Sequence, residues 1–277
     1  FVGTHGQGAQ RWLDIGPVML QPAELMKIGL PLTLGWFFHE HSPPPPWYRI
    51  LAALAIIFIP TALITIEPDL GTATLIAGAG IMVLFLAGLR WRYVLAFTAI
   101  LLAALPVAWH FLHDYQRARL LVFLDPSRDP LGAGYHIIQS KIAIGSGGLF
   151  GQGFLGGSQA QLNFLPEQTT DFIFAVFAEQ FGFLGALALL ALYGFIIGRG
   201  LLLSLRAHTR FGRLAAAGLI LIFLFYVVVN IGMVCGLVPV VGVPLPLVSY
   251  GGSSVVTILA GFGILISIAA HRRLIDT

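Results

Sequence analysis

Ionisable residues are scarce in this chain, and several sit where polar stretches meet long apolar runs. Asp171 stands between Asn163-Phe-Leu-Pro-Glu-Gln-Thr-Thr170 and the apolar run that continues to Glu179. One carboxylate at such a junction can act as general base toward a weakly nucleophilic hydroxyl. It can equally cap a helix, since the dipole favours an acid in the first turn. The local pattern alone favours the cap. Glu24 and Lys27 are three residues apart in an apolar stretch, so they can meet on one helix face. Ionisable groups inside an apolar span mark a candidate site, and a lysine can hold a phosphate as a point charge. A self-neutralising structural pair fits the same spacing. Asp69, in Glu67-Pro-Asp-Leu-Gly-Thr72, follows a helix break and is expected to cap the next helix. A cluster of acids could instead hold a divalent cation, but no ligand spacing marks one. Glu179 lies about 12 Å up a helix from Asp171 and is turned away from it. It is expected to pair with a basic or hydroxyl group inside a bundle.

The elements that must position these groups are membrane helices. Only 10% of residues are charged and 57% are hydrophobic, against about 25% charged in a soluble domain. Repeated apolar runs of about 20 residues point to an all-α, polytopic membrane bundle. Basic residues are dispersed through the chain, which leaves no nucleic-acid footprint. Cys235 is the single cysteine, so an internal disulfide and a cysteine-rich metal site are both excluded. No cleavable signal pattern is present, and the chain, which starts at Phe1, reads as a piece lacking its beginning.

Taken in order, residues 1–20 form a polar, glycine-containing lead-in. Span one is expected at Pro22–Phe38, opened by Gln21-Pro22 and closed before the proline run Pro43 to Pro46. The next spans are expected at Tyr48–Ile66, Gly71–Leu89 and Tyr93–Leu112. A long loop over residues 113–170 separates the fourth span from a fifth at Asp171–Ile197. An arginine-rich connector, Arg199–Arg213, leads to a sixth at Leu214–Val238. A Pro/Gly-rich interruption, Val241–Ser254, precedes a seventh at Ser253–Ala270. The whole chain reads as a single transmembrane domain.

Arg49, Arg90, Arg92, the four arginines from Arg199 to Arg213, Arg272 and Arg273 fall on one side, which is cytoplasmic by the positive-inside rule. Most acids fall on the other. Chemistry on that face has no nucleotide to draw on, so a substrate there must carry its own activation. The seven spans then put Phe1 outside, which calls for an odd number of preceding spans.

Two further motifs have plainer readings. Gly151-Gln-Gly-Phe-Leu-Gly156 matches G-x-G-x-x-G, but no βαβ context surrounds it. It reads as a flexible turn within Gly145 to Gly157. Tyr135 to Ile144 is apolar on one helical side and too short to span, so it reads as an interfacial helix or a lid.

Together these blocks resemble the SEDS family of cell-wall proteins. The resemblance rests on Gln10-Arg-Trp-Leu-Asp14, Gln21-Pro-Ala-Glu-Leu-Met-Lys27, Glu67-Pro-Asp-Leu-Gly-Thr72, Asp125-Pro-Ser-Arg-Asp-Pro130, Gly134 to Gly145, Phe164 to Phe174 and Pro244-Leu-Pro-Leu-Val-Ser-Tyr-Gly-Gly-Ser-Ser254. It covers essentially the whole chain. Gln139 to Gly148 is closer to the elongation member than to the division member. The resemblance implies ten helices, of which these would be the last seven. It implies polymerisation of lipid II on the outer face of the cytoplasmic membrane, beside a class B penicillin-binding transpeptidase and other elongation-complex membrane proteins. The family's essential aspartate maps onto Asp171, as base. Arg11, Gln21, Glu24 and Lys27 are expected to bind substrate, Lys27 and Arg11 by neutralising the leaving pyrophosphate, with Glu24 orienting Lys27. Asp69, Glu179 and Ser249 are expected to support them. A divalent cation, Mg or Mn, could assist. Two alternatives remain open, a lipid II flippase and a non-enzymatic assembly scaffold. Polar groups crowded toward the outer half favour surface chemistry over flipping.

Overall fold

The computed structural model describes residues 4–6, 9–15, 18–40, 43–67, 69–111, 117, 121–123, 125–126, 129, 133–154, 156–157 and 167–270. In the strands and at parts of the fourth helix only the backbone is described. Among the described residues the principal helices are α1 (Pro22–Phe38), α2 (Trp47–Ile66), α3 (Leu70–Leu86), α4 (Trp91–Phe111), α5 (Ala133–Ser146), α6 (Ile173–Leu205), α7 (Arg210–Val234) and α8 (Gly252–Ala270). The expected helical membrane class holds, apart from a small sheet in the lead-in. Four of them, α2, α6, α7 and α8, are long and apolar enough to cross a membrane unaided. Pro68, Arg128, Asn163, Arg272 and Arg273, used in reading the sequence, lie outside the described residues.

The lead-in is more ordered than expected. It forms a small antiparallel sheet of β1 (Thr4–Gly6), β2 (Ala9–Ile15) and β3 (Val18–Leu20), in that order. Ile15 pairs with Val18 where β2 meets β3. Helix α1 begins and ends where the sequence places it. Pro22 occupies the first turn, where its missing N–H costs nothing. Helices α6 and α7 run further into the arginine-rich connector than expected, leaving only residues 206–209 between them. Arginine is a good helix former and its long stem lets the charge reach water from an apolar turn. Arg210 also donates to the Ala87 carbonyl at 2.9 Å.

The chain divides into two compact units, Phe1–Arg90 with Gly194–Tyr226 and Gly251–Thr277, and Trp91–Tyr193 with Val227–Tyr250. In the first, small residues admit close helix packing. A Cβ on Gly80 would lie 2.8 Å from Ile57, and one on Gly218 would lie 2.7 Å from Pro31. Leu30, Leu34, Ile57, Ile76 and Ile220 fill the interior.

In the second unit α5 packs by one face, with Ile137, Ser140 and Ala143 buried. Ser140 donates to the Val234 carbonyl at 2.8 Å, which holds α5 against the end of α7. The glycine-rich stretch after α5 does more than bend. Helix α6 is broken at Gly182, whose φ of +68° suits glycine, and the stretch bridges that break. Gln152 and Gly153 donate to the carbonyls of Glu179 and Gln180 at 3.0 and 3.1 Å. The carbonyls of Gly148 and Leu149 accept from Phe183 and Leu184 at 2.9 and 3.1 Å. Backbone groups freed by a broken membrane helix must find protein partners, and here they find them in the loop.

Candidate functional site

In the first unit, Gln21, Asp69 and Thr72 gather at the starts of α1 and α3. Asp69 caps α3 as expected, accepting from the Thr72 N–H at 3.0 Å. It also accepts from the Thr72 hydroxyl at 3.0 Å and from Gln21 Nε2 at 3.1 Å. Gln21 is the N-cap of α1 but spends its side chain on Asp69 rather than on its own helix. One turn along α1, Lys27 Nζ donates to Glu24 Oε1 in a buried ion pair. The ammonium also lies over the Tyr226 ring, 4.3 Å from its centroid, a favourable contact for a desolvated cation. Asp69 adds its negative charge to the attraction at Lys27. Glu24 Oε2 is buried and has no hydrogen-bond partner. An apolar cleft opens beside Lys27, lined by Leu219, Phe223, Tyr226, Ile258 and Phe262. Arg11 belongs to β2, and its side chain lies outside the described residues.

Both Asp69 oxygens accept hydrogen bonds and Glu24 Oε1 is held by Lys27. No three His, Cys, Asp or Glu side chains converge on a metal position among the described residues.

In the second unit, Asp171 lies two residues before α6, in a turn that spans residues 167–172. The helix therefore starts later than expected. Glu167 opens the turn with a φ of +54°, and its carbonyl accepts from the Thr170 and Phe172 amides, each at 3.2 Å. Asp171 is half-buried, with the buried Phe172 and Phe174 after it. Three successive carbonyls of the turn are held from the other side. Tyr250 N–H donates to Thr169 at 2.9 Å. The Ser249 hydroxyl donates to Thr170 and accepts from the Leu245 amide at 2.7 Å. Asn230 Nδ2 donates to Asp171 at 2.8 Å and to Val243 at 2.6 Å. Gly242 closes the other flank, since a Cβ there would sit 3.3 Å from Asp171 Oδ2. The Pro/Gly-rich backbone between α7 and α8 is anchored to the turn through these bonds, with Val243, Leu245 and Ser249 buried.

Glu179 is fully buried and accepts from Ser146 Oγ at a long 3.4 Å, the hydroxyl partner expected for it. His136 stacks on Phe172 with ring centroids 5.6 Å apart. Burial lowers its pKa below the usual histidine range, against a smaller upward pull from Glu167.

The structure thus brings Gln21, Asp69, Glu24 and Lys27 into one cluster, and Asp171 with Ser249 into another. Asn230 and Tyr226 were missed from sequence. Asn230 is the only side-chain amide in the apolar run of α7, and a polar residue inside such a run is a usable signal.

The FtsW/RodA/SpoVE model, described as cell cycle protein, matches residues 1–274. The peptidoglycan glycosyltransferase MrdB of Escherichia coli K12 is 56% identical over 275 residues, covering 99% of this chain and 74% of that protein. Stage V sporulation protein E of Bacillus subtilis is 38% identical over 274 residues, covering 98% of this chain and 74% of that protein. Among solved structures, a chain of a peptidoglycan synthase complex that coordinates polymerization and crosslinking superposes with a TM-score of 0.83 at 34% identity, covering 99% of this chain and 77% of its own. The rod shape determining protein RodA of Thermus thermophilus gives 0.68 at 30% identity, covering 98% and 73%. A family match over nearly the full length, with relatives this similar, leaves one conclusion: the chain belongs to the FtsW/RodA/SpoVE cell cycle protein family.

Proposed function

We propose that this chain is a peptidoglycan glycosyltransferase that polymerises lipid II into glycan strands during cell elongation, with Asp171 as general base. The observation that carries this is Asp171 itself, half-exposed on a turn fixed through three successive carbonyls. A base must be held within hydrogen-bond reach of the proton it removes, and a rigid turn meets that need. Support for the reaction class comes from the 56% identical glycosyltransferase. In the reaction Asp171 takes the proton of the acceptor hydroxyl as that oxygen bonds to the donor's anomeric carbon. The bond to the polyprenyl pyrophosphate breaks, and its electron pair leaves with the pyrophosphate.

Lys27 is the candidate to neutralise that leaving group, with Arg11, Gln21 and Glu24 as further binding groups. Because Lys27 is paired with Glu24, binding a phosphate oxygen would exchange one anion for another. The cleft beside it suits an apolar chain. Asp69, Glu179 and Ser249 act as supports. The seven-span count rests on the apolar runs, and the outward active face and inward C-terminus on the arginine distribution. A class B penicillin-binding protein as partner is supported by the similarity to a complex that couples polymerization to crosslinking.

The test is polymerisation of lipid II by the intact protein in detergent, alone and with its transpeptidase. Glycan strands should form, and Asp171→Asn should abolish them. Strands of normal yield from that variant would remove Asp171 as base. A flippase or scaffold makes no strands in detergent.

A further inference from the structure

We propose that Asn230 is a positioning residue for glycosyl transfer, acting with Ser249 to aim the Asp171 carboxylate. This rests on the reading of Asp171 as base. Asn230 is fully buried, and one amide group serves two carbonyls, Asp171 at 2.8 Å and Val243 at 2.6 Å. It therefore ties the turn that carries the acid to the irregular segment after α7. Ser249 makes the same kind of tie one residue earlier, between Thr170 and the Leu245 amide. The Tyr250 amide makes a third, to Thr169. The carbonyls of 169 and 170 are engaged from the segment after α7 and that of 171 from Asn230 within α7, and the segment presents Gly242 to Asp171 Oδ2.

The donors bind main chain on both sides, at the turn and at Val243 and Leu245 beyond α7. Their action is geometric: they fix φ and ψ around Asp171, and through them the direction of its Cα–Cβ bond. Displacing a reacting group by about 1 Å can cost about 100-fold in rate. Asn230 Oδ1 is buried without a hydrogen-bond partner. A residue kept only for packing would gain by replacing that amide with an apolar isostere, since an unpaired buried acceptor is costly. Its two short donor bonds are what such an isostere would lose.

The experiment uses the intact protein in the detergent polymerisation assay, with kcat and KM for lipid II measured per folded molecule. Asn230→Leu keeps side-chain volume and removes the donors. Ser249→Ala removes the second tie, and Ser249→Thr restores its hydroxyl. The expected result is a fall in kcat of about 10- to 100-fold in Asn230→Leu and a smaller fall in Ser249→Ala. KM should stay within about twofold and Ser249→Thr should recover most of the rate. Full kcat in Asn230→Leu, or a rise in KM that matches the loss, overturns the inference. Should Asn230→Leu fail to fold, the Ser249 pair decides: no fall in Ser249→Ala, or none recovered by Ser249→Thr, overturns it. Asp171→Asn in the same series keeps the two ideas apart. If it is inactive while Asn230→Leu and Ser249→Ala are fully active, only the positioning role fails. If it is fully active, the base assignment fails first.

Discussion

Asp69 and Asp171 both stand just before an apolar helix, and the protein holds them by different means. Asp69 is held by its side chain: its oxygens accept from Gln21, from the Thr72 hydroxyl and from the Thr72 amide. Asp171 is held by its main chain, through donors that reach the carbonyls of 169, 170 and 171. A carboxylate bound through its oxygens is committed to those partners. A carboxylate aimed through its backbone is given a direction by bonds made to the main chain. The first arrangement suits a helix cap in a buried charge network, and the second suits an acid that must meet a substrate.

Substitutions can break this contrast. The largest effect is expected from Asp171→Asn, which should lower polymerisation by about 100- to 10,000-fold, the usual worth of a general base, with little change in melting temperature. A large fall in melting temperature would instead mark Asp171 as structural. Next comes Lys27→Met. It leaves Glu24 buried without its cation, and breaking a buried pair costs about 3–5 kcal/mol, so the loss of turnover expected for it would be mixed with unfolding. Glu24→Gln with Lys27→Met should recover stability and leave turnover absent. Restored turnover in the double variant would reduce the pair to a structural role. Asp69→Ala should cost about 1–2 kcal/mol by loss of the cap, seen as a lower melting temperature in detergent, while kcat per folded molecule stays near normal. A kcat collapse there would erase the distinction between the two aspartates.

The smallest effect concerns pH. Burial holds His136 below its usual pKa of 6.5, so the folded protein binds its proton less readily than the unfolded chain does. The sign follows: stability is full above the unfolded value, and is lost as pH falls from about 6.5 through the lower folded value. His136→Phe, which keeps a ring on Phe172, should flatten that slope in thermal unfolding measured from pH 7 to pH 5. An unchanged slope would place the sensitivity elsewhere.

Much of the helical plan was readable because local signals set it. Gln21-Pro22 and the proline run bounded α1 closely, and Asp69 with Thr72 marked the start of α3. The ends of α6 and α7 were misjudged because arginine looks like a connector by charge while favouring helix by propensity. The lead-in sheet was missed because its strands are only three and seven residues long. Asp171 was visible as a junction acid, but not the means of holding it. Asn230 lies 59 residues from Asp171 and Ser249 lies 79 from Thr170, and no spacing rule links such positions. Tyr226 was hidden for the same reason, as an aromatic within an apolar run that reads as ordinary core.

The break in α6 at Gly182 carries a consequence for motion. Two amides and two carbonyls of the helix bond to the glycine stretch that crosses the gap. Pulling that stretch away would strand them in an apolar setting, at about 1–3 kcal/mol for each. The halves of the helix and the crossing strand of backbone are therefore expected to open together rather than singly. Amide protons of Gln152, Gly153, Phe183 and Leu184 would then exchange with solvent at one shared, slow rate, although two of them belong to a surface loop.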